Sequence, residues 1–197
     1  MNAENTMKTG GWIVTAGDPG IDKHPEAKAA FEKAVGGLLG AKYEAFAVIA
    51  TQVVAGINYC ILCRITPVVP EPKQSIQLVY IYEDLNKNAK ITDRRVLIGE
   101  SALGGFEANA GDLSLDQNPK VKEAYEKALT GRLGVDHEAI AYLGSQIVSG
   151  TNYLILSKDT VVAPGAEAAV ALLTVYEDLK GTAELIKTEK IVLGVTD

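Results

Sequence analysis

The sequence predicts two tandem α+β domains built to one plan. Three observations carry this prediction: a long internal repeat, a change of apolar period partway through each copy, and a glycine suited to a tight hairpin in the middle of each. Gln52-Val53-Val54-Ala55-Gly56-Ile57-Asn58-Tyr59 returns as Gln146-Ile147-Val148-Ser149-Gly150-Thr151-Asn152-Tyr153, an offset of 146 minus 52, or 94 residues. The same offset pairs Gly10-Gly11-Trp12 with Gly104-Gly105-Phe106, and Tyr82-Glu83-Asp84-Leu85 with Tyr176-Glu177-Asp178-Leu179. Divided this way, the 197 residues give an N-terminal arm at 1–9, a first domain at 10–99, a linker at 100–103 and a second domain at 104–197. Each domain is large enough to fold alone.

Each repeat opens on a short segment and then a helix. Pro25 suits the first helical position, Ala27, Phe31, Ala34, Val35 and Leu39 recur at helical spacing, and Gly40 suits the residue just past the end. The second copy matches with Pro119, Val121, Tyr125, Ala128, Leu129, Leu133 and Gly134. Asn118 is the better N-cap and His24 the poorer, so the second helix is expected to start more firmly. Gly37 and Gly131 weaken the last turn of each. After the helix the period falls to two, and residues 43–54, 57–66, 75–84 and 95–98 read as successive strands, with Gly56 supplying a positive φ between the first two. Tyr59, Ile61, Cys63 and Ile65 form one apolar face, matched by Tyr153 and Ile155 until the pattern turns polar at Ser157.

A net charge of −6 argues against nucleic acid or an anionic membrane as partner, because neutralising phosphates takes clustered Lys and Arg. No apolar run is long enough to span a bilayer. Cys60 and Cys63 form a C-x-x-C pair, but their counterparts are Leu154 and Ser157, and residues three apart on a strand face opposite ways. The expectation is therefore one core thiol and one surface thiol, with no metal and no redox role. The duplicated Tyr-Glu-Asp-Leu reads as a solvated strand end entering a turn. His24 and His137 are not equivalent positions, and no nucleophile motif or phosphate loop is present, so no catalytic residue is assigned and the chain is not expected to be an enzyme.

Gln-x-Val-x-Gly, present as Gln52 to Gly56 and again as Gln146 to Gly150, with an Asn-Tyr strand directly after it, a helix before it and a glycine upstream of the helix, resembles the cystatins, protein inhibitors of papain-like cysteine proteases. The resemblance covers nearly the whole chain, as two copies. It implies two tandem cystatin-like domains, each one helix wrapped by an antiparallel sheet. It also implies a wedge that fills a protease cleft without presenting a scissile bond. The wedge maps onto Gly10 and Gly11 with Gln52, Val53, Val54, Ala55 and Gly56 in the first repeat, and onto Gly104 and Gly105 with Gln146, Ile147, Val148, Ser149 and Gly150 in the second. Many cystatins carry a Pro-Trp pair in a second hairpin, where this chain has Asn86-Lys87-Asn88-Ala89-Lys90 and Lys180-Gly181-Thr182-Ala183-Glu184. A buried Trp anchor is commonly worth about 2 kcal/mol, so affinity is expected to be roughly 30-fold lower than for a relative that keeps it.

The expected function is thus reversible inhibition of papain-like proteases, with no cofactor. Repeat one is expected to be the stronger site because the arm at 1–9 can lie along a cleft. The alternative is a non-inhibitory cystatin-like binding or structural module, since hairpin residues can recur for folding alone. The expected oligomer is a monomer, with a domain-swapped dimer as its alternative. No basic and apolar leader opens the sequence. The compartment is left between cytoplasm, which the want of a disulfide framework resembles, and secretion after removal of a leader.

Overall fold

The computed structural model describes residues 10–99 and 105–194. The arm at 1–9, the linker at 100–103 and Gly104 lie outside the described residues. The first repeat runs β1 (Ile13–Val14), a 3-10 turn (Ile21–Lys23), α1 (Pro25–Val35), β2 (Ala41–Val54), β3 (Gly56–Pro67), β4 (Ser75–Glu83) and β5 (Ala89–Ile98). The second runs β6 (Glu107–Ala108), a 3-10 turn (Leu115–Gln117), α2 (Pro119–Leu129), β7 (Val135–Val148), β8 (Gly150–Val161), β9 (Ala169–Glu177) and β10 (Ala183–Ile191). Every sheet pairing is antiparallel, and the two five-stranded sheets have the orders β1-β2-β3-β4-β5 and β10-β9-β8-β7-β6.

The expectation of two tandem cystatin-like α+β domains, each a helix wrapped by a sheet, is overturned. The molecule is mostly antiparallel sheet, with 50% of residues in strands and 16% in helix, and each α-helix has only 11 residues. The physical reason lies in the strands. Tyr59 to Ile65 and Ile76 to Ile81 are apolar on both faces apart from Arg64 and Gln77, which is the pattern of a sheet covered on both sides. One face meets a helix: Tyr59, Ile61, Cys63 and Ile65 pack with Ala27, Ala30 and Phe31 of α1, as their alternation predicts. The other face meets the second sheet. Ile49, Cys60, Leu62 and Leu78 from repeat one and Leu143, Leu154, Leu156 and Leu172 from repeat two belong to one buried cluster. The largest core is therefore shared between the repeats, and α1 and α2 close its outer sides.

Polar contacts cross the same boundary. The buried Arg64 guanidinium donates to the Asn109 carbonyl at 3.0 Å and to the Gly111 carbonyl, and Arg95 Nη1 donates to the Val192 carbonyl at 3.1 Å. Trp12 stacks edge-on against Tyr80 at 5.5 Å and packs on the shared cluster.

Three details of the sequence reading also change. The helices stop at Val35 and Leu129, so Leu39 and Leu133 are almost wholly exposed and belong to the turns before β2 and β7. Gly36 and Gly37 end the first helix early, since two glycines together raise the entropy cost of another turn. Neither His24 nor Asn118 caps a helix with its side chain; Asn118 Nδ2 instead donates to the carbonyls of Asp112 and Ser114. The thiols of Cys60 and Cys63 are unpaired and lie on opposite faces, as expected, but both are fully buried because both faces are covered. Burial pushes the Cys60 thiol up to about 12 and holds that of Cys63 well above its ordinary value.

Candidate functional site

The Gln-x-Val-x-Gly hairpin is built by residues that face inward and by others that face out. β2 and β3 are joined through Ala55 alone, with Val54 paired to Gly56, Val53 to Ile57 and Gln52 to Asn58. Gly56 is buried at φ +124°, and a Cβ there would collide with the Glu83 carbonyl oxygen and the Tyr82 ring. Glycine is required because the hairpin lies directly across the end of β4. Tyr82 then fixes the tip by donating its hydroxyl to the Ala55 carbonyl at 2.5 Å. Gly56 is thus packed inside the hairpin, and the exposed tip is Val54 and Ala55.

Gln52 works sideways. Its Oε1 accepts from Asn58 Nδ2 at 2.7 Å and its Nε2 donates to the Gly10 carbonyl at 2.9 Å. One side chain thus ties the glycine segment to the hairpin, aided by the pairing of Ile13 and Val14 with Thr51 and Ala50. Gly10 takes a positive φ of 96°, and neither it nor Gly11 has a neighbour that would crowd a Cβ.

Repeat two reproduces this geometry. Asn152 Nδ2 donates to Gln146 Oε1 at 2.8 Å, Tyr176 donates to the Ser149 carbonyl at 2.6 Å, and Gly150 sits at φ +127° against the Glu177 carbonyl. Gly105 approaches Gln146, whose Nε2 would stand 3.1 Å from a Cβ on it. Ile147 is 79% exposed, whereas its counterpart Val53 is half-buried. Ser149 and Val148 are exposed beside Ile147.

The β4–β5 turn adjoins the first hairpin, since Asp84 Cα would also lie 3.2 Å from a Cβ on Gly56. Asp84 organises this turn. Its carboxylate accepts from the backbone N–H groups of Asn86 and Asn88 and from Asn88 Nδ2, and those bonds, led by the Asn88 side chain, hold the carboxyl below its ordinary value. Glu83 is not solvated as the sequence suggests. It is buried and receives Lys87 Nζ at 2.9 Å, while Lys87 holds a left-handed φ of 65°. Just past the strand ends stand Leu85 and Leu179, 80% and 85% exposed. These two leucines were missed as site residues, although they occur in the duplicated Tyr-Glu-Asp-Leu; a repeated apolar residue beside a polar turn was the available signal.

A second constellation was also missed. Ser157 Oγ donates to Asp159 Oδ1 at 2.6 Å, and His137 Nδ1 lies 2.9 Å from the same oxygen. The serine is bonded to the carboxylate and not to the imidazole, so it has no base positioned to take its proton. The counterparts Cys63, Ile65 and Tyr43 belong to or pack on the helix-side core of repeat one, and the trio in repeat two is a polar replacement at those places. Compared with known proteins, the chain matches no family model and no curated protein.

Proposed function

We propose that the chain is a reversible inhibitor of papain-like cysteine proteases that occludes the cleft with the Gln-x-Val-x-Gly hairpin and the adjoining glycine segment. The observation that carries this reading is the bond from Gln52 to the Gly10 carbonyl, which sets two separate chain segments side by side with an exposed, small, apolar tip at Val54 and Ala55. A preorganised tip loses little freedom on binding, and Val54 offers area to desolvate. Leu85, in the neighbouring turn, supplies an apolar contact where an aromatic anchor is missing. Repeat one is the stronger site, with Val148 and Ile147 forming a second, weaker tip.

Titration of papain with the whole chain tests the proposal. Val54→Asp should weaken inhibition by about ten-fold or more, since a charge would enter a dry groove at a cost of about 1.4 kcal/mol or more. Val148→Asp should have a smaller effect, and both variants should keep the parent circular dichroism and thermal midpoint. Full protease activity at micromolar chain would instead favour a non-inhibitory binding or structural module. That second reading draws on the internal bonds of Gln52 and the tight packing of Gly56, which account for their recurrence through folding alone.

A further inference from the structure

Contacts at three levels of the shared core fix the direction in which the two sheets face each other. At the first level, Arg64 pairs with Glu44 across β2 and β3 and donates to the Asn109 carbonyl, while the Asn109 amide donates to the Leu143 carbonyl at 2.8 Å. Ile98 stands in the same row as Arg64, both being paired with Ile76, and its Cδ1 would lie 2.8 Å from a Cβ on Gly144. The row at Glu44 thus meets Leu143 and Gly144. Further along β2, Phe46 and Ala47 wall one cavity together with Ile140 and Ala141. Further still, Ile49 walls another with Glu138 and Ala139. Residue numbers rise along β2 as they fall along the facing β7, so these strands cross the core in opposite directions.

Each of the two strands ends at its own hairpin tip, β2 at Val54 and β7 at Val148. The tips therefore leave the molecule at opposite ends, and each is flanked by one exposed leucine, Leu85 beside the first and Leu179 beside the second. At the register of the core contacts Val148 stands level with Leu39. The run from Leu39 to Val54, at about 3.3 Å per residue, sets the tips roughly 50 Å apart. A compact protease of about 200 residues has a radius of gyration of about 16 Å, so one seated on either tip leaves the other uncovered.

We propose that the chain is a two-headed inhibitor, which holds two papain-like protease molecules at once, one at each end, and so tethers them to each other. This rests on the reading of the hairpins as protease wedges and goes beyond it, since either hairpin could inhibit even if the two could not be occupied together. Strands crossing the core in the same direction would have set the tips side by side, where a protease on one would cover the other. The opposed crossing removes that conflict.

A two-layer binding experiment tests this. Papain with its thiol capped by a small methylthio group is fixed to a surface, the full chain is captured on it, and soluble capped papain is then passed over. The expected result is a second layer that saturates at one papain per captured chain, with sedimentation of the soluble mixture giving a species of one chain and two papains. Val54→Asp and Val148→Asp should each still be captured through the remaining tip and should each weaken the second layer by about ten-fold or more. Capture of the parent without a second layer, at papain concentrations up to 100-fold above those that saturate capture, overturns the two-headed arrangement and leaves inhibition by a single hairpin standing. A second layer indifferent to both substitutions also overturns it, because the protease would then be held elsewhere. Failure of the parent to be captured, together with full activity of uncapped papain in its presence, removes this proposal and the inhibitor reading alike.

Discussion

Gly56 and Gly150 hold the two hairpins against the carbonyls of Glu83 and Glu177, and each does so at a φ that L side chains rarely adopt. Gly56→Ala should therefore lower stability by at least about 1 to 2 kcal/mol from backbone strain, with the collision at the Glu83 carbonyl adding to that. Gly11→Ala, where a Cβ meets nothing, should be close to neutral. Urea unfolding of the two variants beside the parent checks this, and equal midpoints for all three would refute it. The positive φ of Gly56 was legible in the sequence because a glycine between two strand patterns has few other uses. Its burial was not, since the contact it makes is with Tyr82 and Glu83 at the end of β4, 26 and 27 residues on, and nothing in the local pattern names that partner. For the same reason Glu83 reads as a solvated carboxylate until its place beside Lys87 is known.

Among the elements, the strands were the most legible and the helix ends the least. Alternation located β2, β3 and β4 to within two residues, because burial against a helix imposes a strict period of two on that face. β5 begins at Ala89, earlier than expected, because its first half alternates between half-buried and exposed residues and carries little apolar signal. β1 and β6, two residues each, offer too short a pattern to find. The β4–β5 turn has a pH dependence that follows from Asp84. Its folded carboxyl is held below the ordinary value of 3.8 by Asn88 and the turn amides, so its contribution is present above that value and is lost as pH falls through the depressed one. The protection factors of the Asn86 and Asn88 amides, taken against intrinsic exchange at the same pH, should accordingly fall on acidification below about pH 4, and in Asp84→Asn at neutral pH as well. Unchanged protection in both cases would show that the turn is held by other contacts.

At the scale of the whole molecule, the shared core predicts one unfolding event. Trp12, the single tryptophan, packs against Tyr80 on that core, and Cys60 lies within it while Cys63 faces α1. Burial raises both thiols, so thiolate is scarce in the folded chain and a disulfide reagent should find neither until the sheets part. Tryptophan fluorescence, circular dichroism and thiol release should thus share one denaturant midpoint. Two separated transitions, or a thiol that reacts at native rate, would contradict a common core. The clue to that core was in the sequence, in strands apolar on both faces, but a helix per repeat appeared to account for the apolar surface and left the second face without an owner.

The shared face has the character of an isologous dimer contact written into one polypeptide, with Ile49 answered by Leu143, Leu62 by Leu156 and Leu78 by Leu172. Identical subunits must make every contact twice, and a fused pair is released from that rule. Arg64 uses the release. It reaches across to the backbone of Asn109 and Gly111, whereas its counterpart Lys158 stays on its own sheet and pairs with Glu138. Covalent linkage has let one half specialise as the buckle and the other as the strap, and a chain made from two copies of the second repeat, with Lys158 in both places, would lose the fastening that Arg64 closes on the carbonyls of Asn109 and Gly111.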